Sequence, residues 1–246
     1  MWKDKVHFVL VEPREPGNIG ASARALKNLG FRHLVLVRPR HFPAPEAQWM
    51  AKGAEDVLQA AELCHDLEEA LKEKTLVVGT TRRAGRHRGP LFPLRDALPR
   101  LRGWAEGGNP VAVLFGREDR GLTNEEAALC GMLLSIPSAP EAPSYNLAQA
   151  VLLVAYELAQ AEPSLRPPPL VSHQEVLFVV ERFREALRLL DYVSRGDRDL
   201  EARVSRHLRN IFIRAGLTGW EAQMLHGIIT QIKKRLGQEG SPRKTP

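Results

Sequence analysis

The sequence predicts an α/β fold built on a mostly parallel sheet, followed by a small all-α C-terminal domain. Up to about residue 160, short apolar runs rich in β-branched residues alternate with helical patterns. That alternation is typical of βαβ crossovers, which pair strands in parallel. Beyond residue 172, apolar residues recur at helical spacing without strand-like runs, which predicts helices.

Length and composition narrow the class of protein. The 246 residues suit one large domain or a medium domain with a small one, and a hydrophobic fraction of 43% is enough for a core. The net charge is +6, and 26 of the 35 basic residues are arginine. Because the guanidinium fork binds phosphate and stacks on bases, this bias favours a nucleic-acid partner. A GC-rich or heat-adapted genome would also enrich arginine, so composition leaves both explanations open.

Metal-binding and targeting signals are not found in the sequence. Cys64 and Cys130 are isolated, without the C-x-x-C spacing of zinc sites or a disulfide framework. No apolar run reaches membrane-spanning length, and Met1–Lys5 leads directly into a strand rather than a signal peptide. We therefore expect a cytoplasmic protein that binds no metal and no membrane.

The first strand is predicted at Val6–Val11, an uninterrupted apolar run that stops before Pro13. A helix follows at about Ile19–Asn28, with Gly30 as its C-terminal cap. The second strand is predicted at Leu34–Val37.

Residues 40–65 carry no regular pattern. A helix is then predicted at Asp66–Lys74 and a third strand at Thr75–Gly79. A basic loop at 82–88 precedes a helix near Leu94–Trp104.

The middle of the chain supplies two more strands, Val111–Phe115 and Leu133–Ile136, which bring the sheet to about five. Between them, Thr123 or Asn124 begins a short helix as its N-cap. A long apolar helix is predicted at about Leu147–Ala159. Ligands bind at the carboxyl edge of open α/β sheets, so the loops that follow these two strands are the first candidate for a functional site.

The C-terminal part has a different organisation. Residues 163–172 include three consecutive prolines and are predicted to form a stiff linker. Helices are predicted at His173–Tyr192, Asp197–Ala215 and Trp220–Leu236, which make a small RNA-binding helical unit at 173–237. Residues 238–246 are expected to be a flexible tail.

Three local patterns carry the functional signal. The chain lacks the G-x-G-x-x-G fingerprint, a Walker lysine, an H-E-x-x-H pair and a nucleophile elbow. Instead, a short polar or glycine-containing pattern follows each of three predicted strands, at Asn18–Arg24, Phe115–Leu122 and Ser144–Ala148. Taken alone, each pattern has an ordinary explanation. The first can be a helix cap with a solvated arginine, the second a charged loop, and the third another helix cap. Their order and their shared position at strand ends are more specific.

In this order and spacing, N-x-G-x-x-x-R, F-G-x-E-x-x-G-L and I-P…S-x-N-L-A resemble the three motifs of the SpoU branch of SPOUT RNA 2′-O-ribose methyltransferases. The strand Leu76–Thr80 and the helical extension make the chain most similar to the TrmJ group, which methylates an anticodon-loop pyrimidine ribose of tRNA, at position 32. The resemblance covers residues 5–160 well and the helical unit loosely. It implies that residues 1–162 form a SPOUT domain with a deep C-terminal trefoil knot that binds S-adenosyl-L-methionine.

The resemblance also implies roles for individual residues. Arg24 would be the catalytic residue, and four others would position it or shape the site: Asn18, Glu118, Ser144 and Asn146. The cofactor would contact residues of three loops: Thr80, Thr81, Arg82, Gly116, Ile136, Pro143, Ser144, Tyr145 and Leu147. In the family the site is shared across a homodimer, so Arg24 of one subunit would face the cofactor of the other. The helix at 147–158 would then be a dimer face, although a core helix explains its apolar sequence equally well.

RNA contacts are expected from two arginine clusters: Arg82, Arg83, Arg86 and Arg88 in the basic loop, and Arg206 and Arg209 in the helical unit. A solvated helix face would also explain the second cluster. Two related functions remain as alternatives, a ribosomal RNA 2′-O-methyltransferase and an RNA-binding SPOUT protein without catalysis. The missing glycine fingerprint disfavours a dinucleotide-dependent oxidoreductase. The motifs do not specify whether cytidine and uridine are both accepted.

Overall fold

The computed structural model describes residues 1–83, 90–142, 144–192 and 198–239. Within them, the strands are β1 (Val6–Val11), β2 (His33–Val37), β3 (Glu62–Cys64), β4 (Leu76–Thr80), β5 (Leu91–Pro93), β6 (Val111–Phe115) and β7 (Met132–Ser135). They form one sheet in the order β3-β2-β1-β6-β4-β7-β5, and every neighbouring pair is parallel. The predicted α/β fold is therefore confirmed, with seven strands instead of about five.

The two unpredicted strands, β3 and β5, lie at the edges of the sheet and have three residues each. β3 belongs to the region 40–65, which was expected to be irregular. Two short helices also form there, α2 (Pro45–Met50) and α3 (Glu55–Gln59). The expectation was wrong because helices of five or six residues complete fewer than two turns and leave no periodic signal.

Helices cover both faces of the sheet. Besides α2 and α3, the described helices are α1 (Pro16–Asn28), α4 (Leu67–Leu71), α5 (Leu94–Glu106), α6 (Asn124–Ala128), α7 (Leu147–Gln160), α8 (His173–Leu189), α9 (Arg198–Ala215) and α10 (Gly219–Glu239). α1 begins earlier than predicted because Pro16 is compatible with a first helical turn. It ends as predicted, since Gly30 has a φ of +74° and its N–H donates to the carbonyl of Lys27.

The core consists of two apolar layers, one on each side of the sheet. Phe8 and Leu10 of β1 pack with α1, α5 and α7, whereas Val9 and Val11 pack with α4 and α6. Because both faces are covered, the central strands are apolar at nearly every position. For this reason, the bounds predicted for β1 and β6 from their apolar runs agree with the observed bounds.

The proline-rich stretch 163–172 lies against α5 and the loop that follows it. A β-carbon on Gly103 would be 2.0 Å from the carbonyl oxygen of Leu165, so glycine permits this close approach. Asn109 is buried, accepts a hydrogen bond from the Leu170 N–H at 2.9 Å and donates to the Pro168 carbonyl at 3.2 Å. The division of the chain into two domains joined by this stretch stays a prediction.

The helical unit packs onto the sheet domain as well as on itself. Val176, Ile213 and Leu217 form a small apolar cluster between its helices. The His173 N–H donates to the carbonyl of Lys74 at 2.6 Å. α10 continues to Glu239, and the rest of the predicted tail, 240–246, lies outside the described residues.

Two absences apply to the described parts of the chain. No helix in residues 1–83, 90–142, 144–192 or 198–239 combines the length and apolar character needed to cross a membrane. In those same ranges, no three His, Cys, Asp or Glu side chains group closely enough to hold a metal ion.

Candidate active site

A cavity of about 360 Å³ opens at the carboxyl edge of the sheet, where β6, β4 and β7 lie side by side. The two strands that flank β4 both come later in the chain, so their following loops converge on the loop after β4. Cavities of a few hundred Å³ at such a reversal of strand order are typical small-molecule sites of α/β proteins.

The end of β4 is fixed to both neighbouring strands. The Thr80 hydroxyl donates to the carbonyl of Leu114 at 2.9 Å, and the Thr81 N–H donates to the carbonyl of Leu134 at 2.9 Å. Arg82 also lines the cavity. This wall is therefore held by hydrogen bonds to β6 and β7.

The loop after β6 folds back on itself to form a second wall. The Gly121 N–H donates to the Arg117 carbonyl at 2.8 Å. A β-carbon on Gly116 would lie 2.2 Å from backbone atoms of Gly121 and Leu122. Glycine at 116 is therefore required for this fold of the loop.

The third wall comes from the segment between β7 and α7. The Tyr145 hydroxyl donates to the carbonyl of Pro137 at 2.6 Å, which closes this segment into a loop. Ile136, Ser144, Tyr145 and the buried Leu147 line the cavity. Eight of the nine residues expected to contact a cofactor thus surround one cavity, and the ninth, Pro143, lies outside the described residues.

A hydrogen-bond network joins the three sequence motifs at the side of this cavity. The Asn18 side chain donates to Glu118 at 3.1 Å and accepts from the Asn146 side chain at 2.8 Å. The Glu118 carboxylate also accepts from the backbone N–H groups of Arg14 and Glu15, at 3.2 and 3.3 Å. Asn146 in turn caps α7 by accepting from the Ala148 N–H at 2.9 Å, so the network fixes the starts of α1 and α7 relative to the loop after β6.

Arg24 lies apart from the cavity within one chain. Its side chain is exposed on α1 and is not among the residues that line the cavity. Among the residues that the structure describes, it has neither a hydrogen bond nor an ion pair. The structure therefore brings together Asn18, Glu118, Ser144 and Asn146, but not Arg24.

Arg117 is a residue at the site that the sequence did not single out. It lines the cavity, is 5% exposed and pairs with Glu12 at 2.7 Å and with both oxygens of Glu126 at 2.9 Å. Hydrogen bonds to Glu12 and Glu126 raise the pKa of Arg117, and the bond from Arg117 lowers the pKa of Glu12. Thr123 was one of the two residues predicted as the N-cap of α6, whereas the capping box with Glu126 and the pairing of that glutamate with Arg117 were not predicted.

We expect Glu126→Gln to lower the free energy of unfolding by about 3 kcal/mol, because it leaves the buried Arg117 without its bidentate partner. The exposed neighbour provides a control: Glu125→Gln should change that free energy by no more than about 0.5 kcal/mol. Urea unfolding followed by circular dichroism measures both. Equal effects of the two substitutions would show that the ion pair contributes little.

The predicted RNA-binding arginines occupy two separate places. Arg82 and Arg83 are exposed at the cavity, and the Arg83 guanidinium donates to the carbonyl of Arg120. Arg206 and Arg209 belong to α9 and line a different cleft. Arg86 and Arg88 lie outside the described residues.

Comparison with known proteins defines the class. The model of the SpoU rRNA Methylase family matches residues 5–156, which include the whole cavity. Together with the parallel sheet, this match defines an S-adenosyl-L-methionine-dependent methyltransferase. The chain belongs to the SpoU methylase family, as its three motifs predicted.

Relatives extend the similarity to the helical unit. The tRNA (cytidine/uridine/adenosine-2′-O-)-methyltransferase TrmJ of Pseudomonas aeruginosa is 36% identical, over 94% of this chain and 95% of its own length. The crystal structure of TrmJ from Z. mobilis has a TM-score of 0.78 and 30% identity, and covers 92% of this chain and 98% of that one. A structure concerned with 2-OH methylation of C/U34 on tRNA has 29% identity and a TM-score of 0.51, and covers 63% of this chain and 94% of that one.

Proposed function

We propose that the protein transfers the methyl group of S-adenosyl-L-methionine to the 2′-oxygen of a pyrimidine ribose in the tRNA anticodon loop, at position 32. The observation that carries the proposal is the Glu118–Asn18–Asn146 network beside the cavity, which joins all three motifs. A relative named as a tRNA 2′-O-methyltransferase that matches 94% of the chain supports tRNA over ribosomal RNA. A tRNA substrate also supports the expected cytoplasmic location.

The cavity residues suit the cofactor chemically. Ile136 and Leu147 offer apolar surface to an adenine ring, and Thr80 and Ser144 offer hydroxyl groups. Glu118 and Asp119 line the same cavity and attract the positive sulfonium. When bound, the cofactor would supply an activated methyl group for transfer from its sulfur to the 2′-oxygen, and the hydroxyl proton would be released to water.

The protein must align the 2′-hydroxyl and ease the loss of its proton. Holding two reactants in line is worth up to ~7–11 kcal/mol. We assign to Arg24 the task of easing the loss of the proton. Asn18 and Glu118 fix the start of its helix, and Ser144 and Asn146 shape the site. Because a guanidinium stays charged, Arg24 would stabilise the developing negative charge on the 2′-oxygen.

A second copy of the chain would complete the site, because Arg24 stands apart from the cavity of its own chain. α1, which carries Arg24, packs between α2 and α7. These two helices expose large apolar side chains, Trp49 and Met50 on α2 and Leu152 and Tyr156 on α7. An apolar face that surrounds the catalytic helix supports a homodimer in which Arg24 reaches the partner's cavity.

The test uses purified protein, labelled cofactor and tRNA transcripts that carry a 2′-deoxyribose at a single position. We expect methyl incorporation to disappear when position 32 is deoxy and to persist when position 34 is deoxy. The reverse result would favour position 34, the position concerned in the structural neighbour. Incorporation into ribosomal RNA but not into tRNA would contradict the proposal.

The helical unit is proposed to contribute to tRNA affinity, and truncation tests this. A fragment ending at Ala161 should remain folded and dimeric but bind tRNA more weakly than the full chain, with a salt dependence flatter by about 0.7–0.9 log units per lost phosphate contact. A fragment ending at Ser172 keeps the contacts of Leu165 and Leu170 with α5 and Asn109, so it should melt at a higher temperature. Unchanged tRNA binding by both fragments would assign the helical unit another role.

A further inference from the structure

A second cavity, of about 620 Å³, lies between α9 on one side and α4 and α6 on the other. Three arginines line it: Arg38, which follows β2, and Arg206 and Arg209 of α9. Asn124, the first residue of α6, lines it as well. Since the end of β2 and the start of α6 both lie at the carboxyl edge of the sheet, this arginine cleft opens on the same edge as the cofactor cavity.

Arg209 is the least satisfied cation of the cleft. Its Nε is buried, and no described residue accepts a hydrogen bond from it. Burial and the like charge of Arg206 both lower the pKa of Arg209. Arg209 is nevertheless only partly buried and lines the cleft, so an anion that enters the cleft can reach its guanidinium and stabilise the charge.

The glutamates that line the cleft do not supply that anion. In the described part of the chain, none of them forms an ion pair with Arg209. Glu126 is bound through both oxygens by Arg117, at 2.9 Å. Glu68 and Glu125 are exposed at the rim, where solvent screens their charges.

One ion pair has a member in each of the two cavities. Arg117 lines the cofactor cavity, its partner Glu126 lines the arginine cleft, and the pair is buried. The arginine cleft and the cofactor cavity are therefore connected through the Arg117–Glu126 pair.

We propose that the arginine cleft binds a backbone phosphate of the tRNA substrate, and that this phosphate is the missing partner of Arg209. The inference rests on the proposed function, because one RNA must occupy the cleft and present its ribose to the cofactor cavity. Like the carboxylate of Glu126, phosphate is an anion that the guanidinium fork binds through two parallel hydrogen bonds, and it is the anion that RNA supplies. Bound in the cleft, it would also offset the repulsion between Arg206 and Arg209.

The test is Arg209→Gln in the full-length protein, with binding of an unmodified tRNA transcript measured at several salt concentrations without cofactor. We expect affinity to fall about tenfold at low salt, and the slope of log K against log salt to become shallower by about 0.7–0.9. The melting temperature should stay the same or rise, because the substitution removes a partly buried charge that no described residue pairs with. Arg209→Lys, which keeps the charge without the fork, should bind with intermediate affinity.

Arg203→Gln is the matched control. Arg203 is exposed on the same helix and does not line the cleft, so its loss removes the same charge from the surface. We expect its tRNA affinity to fall by no more than about twofold. Equal losses for the two variants would overturn the proposal, since the helix would then attract RNA through its overall charge.

Inorganic phosphate tests whether the cleft binds a free anion and not the RNA backbone. If phosphate at constant ionic strength raises the melting temperature of the wild-type protein but not of Arg209→Gln, and both bind tRNA equally, the proposal is overturned. Methylation by the wild-type protein separates this failure from failure of the proposed function. If the wild type methylates tRNA and Arg209→Gln binds it normally, the cleft inference alone is wrong.

Discussion

Arg24→Ala should reduce methyl transfer to tRNA by at least about a hundredfold, the low end for loss of a group that assists proton transfer. The stability should change by no more than about 0.5 kcal/mol, because the side chain is exposed and has no partner among the described residues. Cofactor affinity should be nearly unchanged, since Arg24 does not line the cavity. Single-turnover methylation measures the rate of methyl transfer, and calorimetry with the demethylated cofactor measures cofactor affinity.

Lys27→Ala is a suitable control, because it removes an exposed positive charge one turn further along the same helix. It pairs with the exposed Asp56, and its loss should leave activity within about twofold of the wild type. If Arg24→Ala keeps near-normal activity, the catalytic assignment is wrong.

Ser144→Trp should abolish cofactor binding, because Ser144 lines a cavity of only about 360 Å³ and an indole would occupy much of it. Wild-type protein should bind about one cofactor per subunit, with no change when a chelator is added. Ser138→Trp serves as the control, since Ser138 is exposed in the same segment and does not line the cavity. Normal binding by Ser144→Trp would show that the cofactor occupies another place.

The two variants together test whether the site is shared between subunits. Mixed dimers of Arg24→Ala and Ser144→Trp would contain one intact site, formed by Arg24 of one chain and the cavity of the other. We expect part of the activity to return once subunits exchange. If exchange is verified and no activity returns, each site is built within one chain.

Local signals in the sequence determined much of the fold. The apolar runs of β1 and β6 are found at their predicted bounds because both faces of these strands are buried. The end of α1 at Gly30 and the start of α7 at Asn146 were also visible, because a cap depends on the residue at one position and its near neighbours. The motifs likewise gave the family, which the family match confirms.

Features that depend on length or on distant partners were not predictable. β3 and β5 have three residues each and owe their existence to the neighbouring strand, not to a pattern of their own. In the sequence, Arg117 looks like any charged loop residue. Its burial depends on ion pairs with Glu126 and with Glu12, which is 105 positions away. Arg209 was predicted to bind RNA as one member of a charged helix face, whereas its burial depends on the packing of α9 against the sheet domain.

By itself, the sequence determined which residues form the motifs, the order of the motifs along the chain, and the strand that precedes each one. Only the tertiary structure decided that Asn18 hydrogen-bonds both Glu118 and Asn146, and that Arg24, six residues further along the same helix, stays outside the cavity. The reason is the order of the strands. β1, β6, β4 and β7 are neighbours across the sheet but not along the chain, so contacts over 100 and 128 positions depend on the path of the backbone and leave no signal in local spacing.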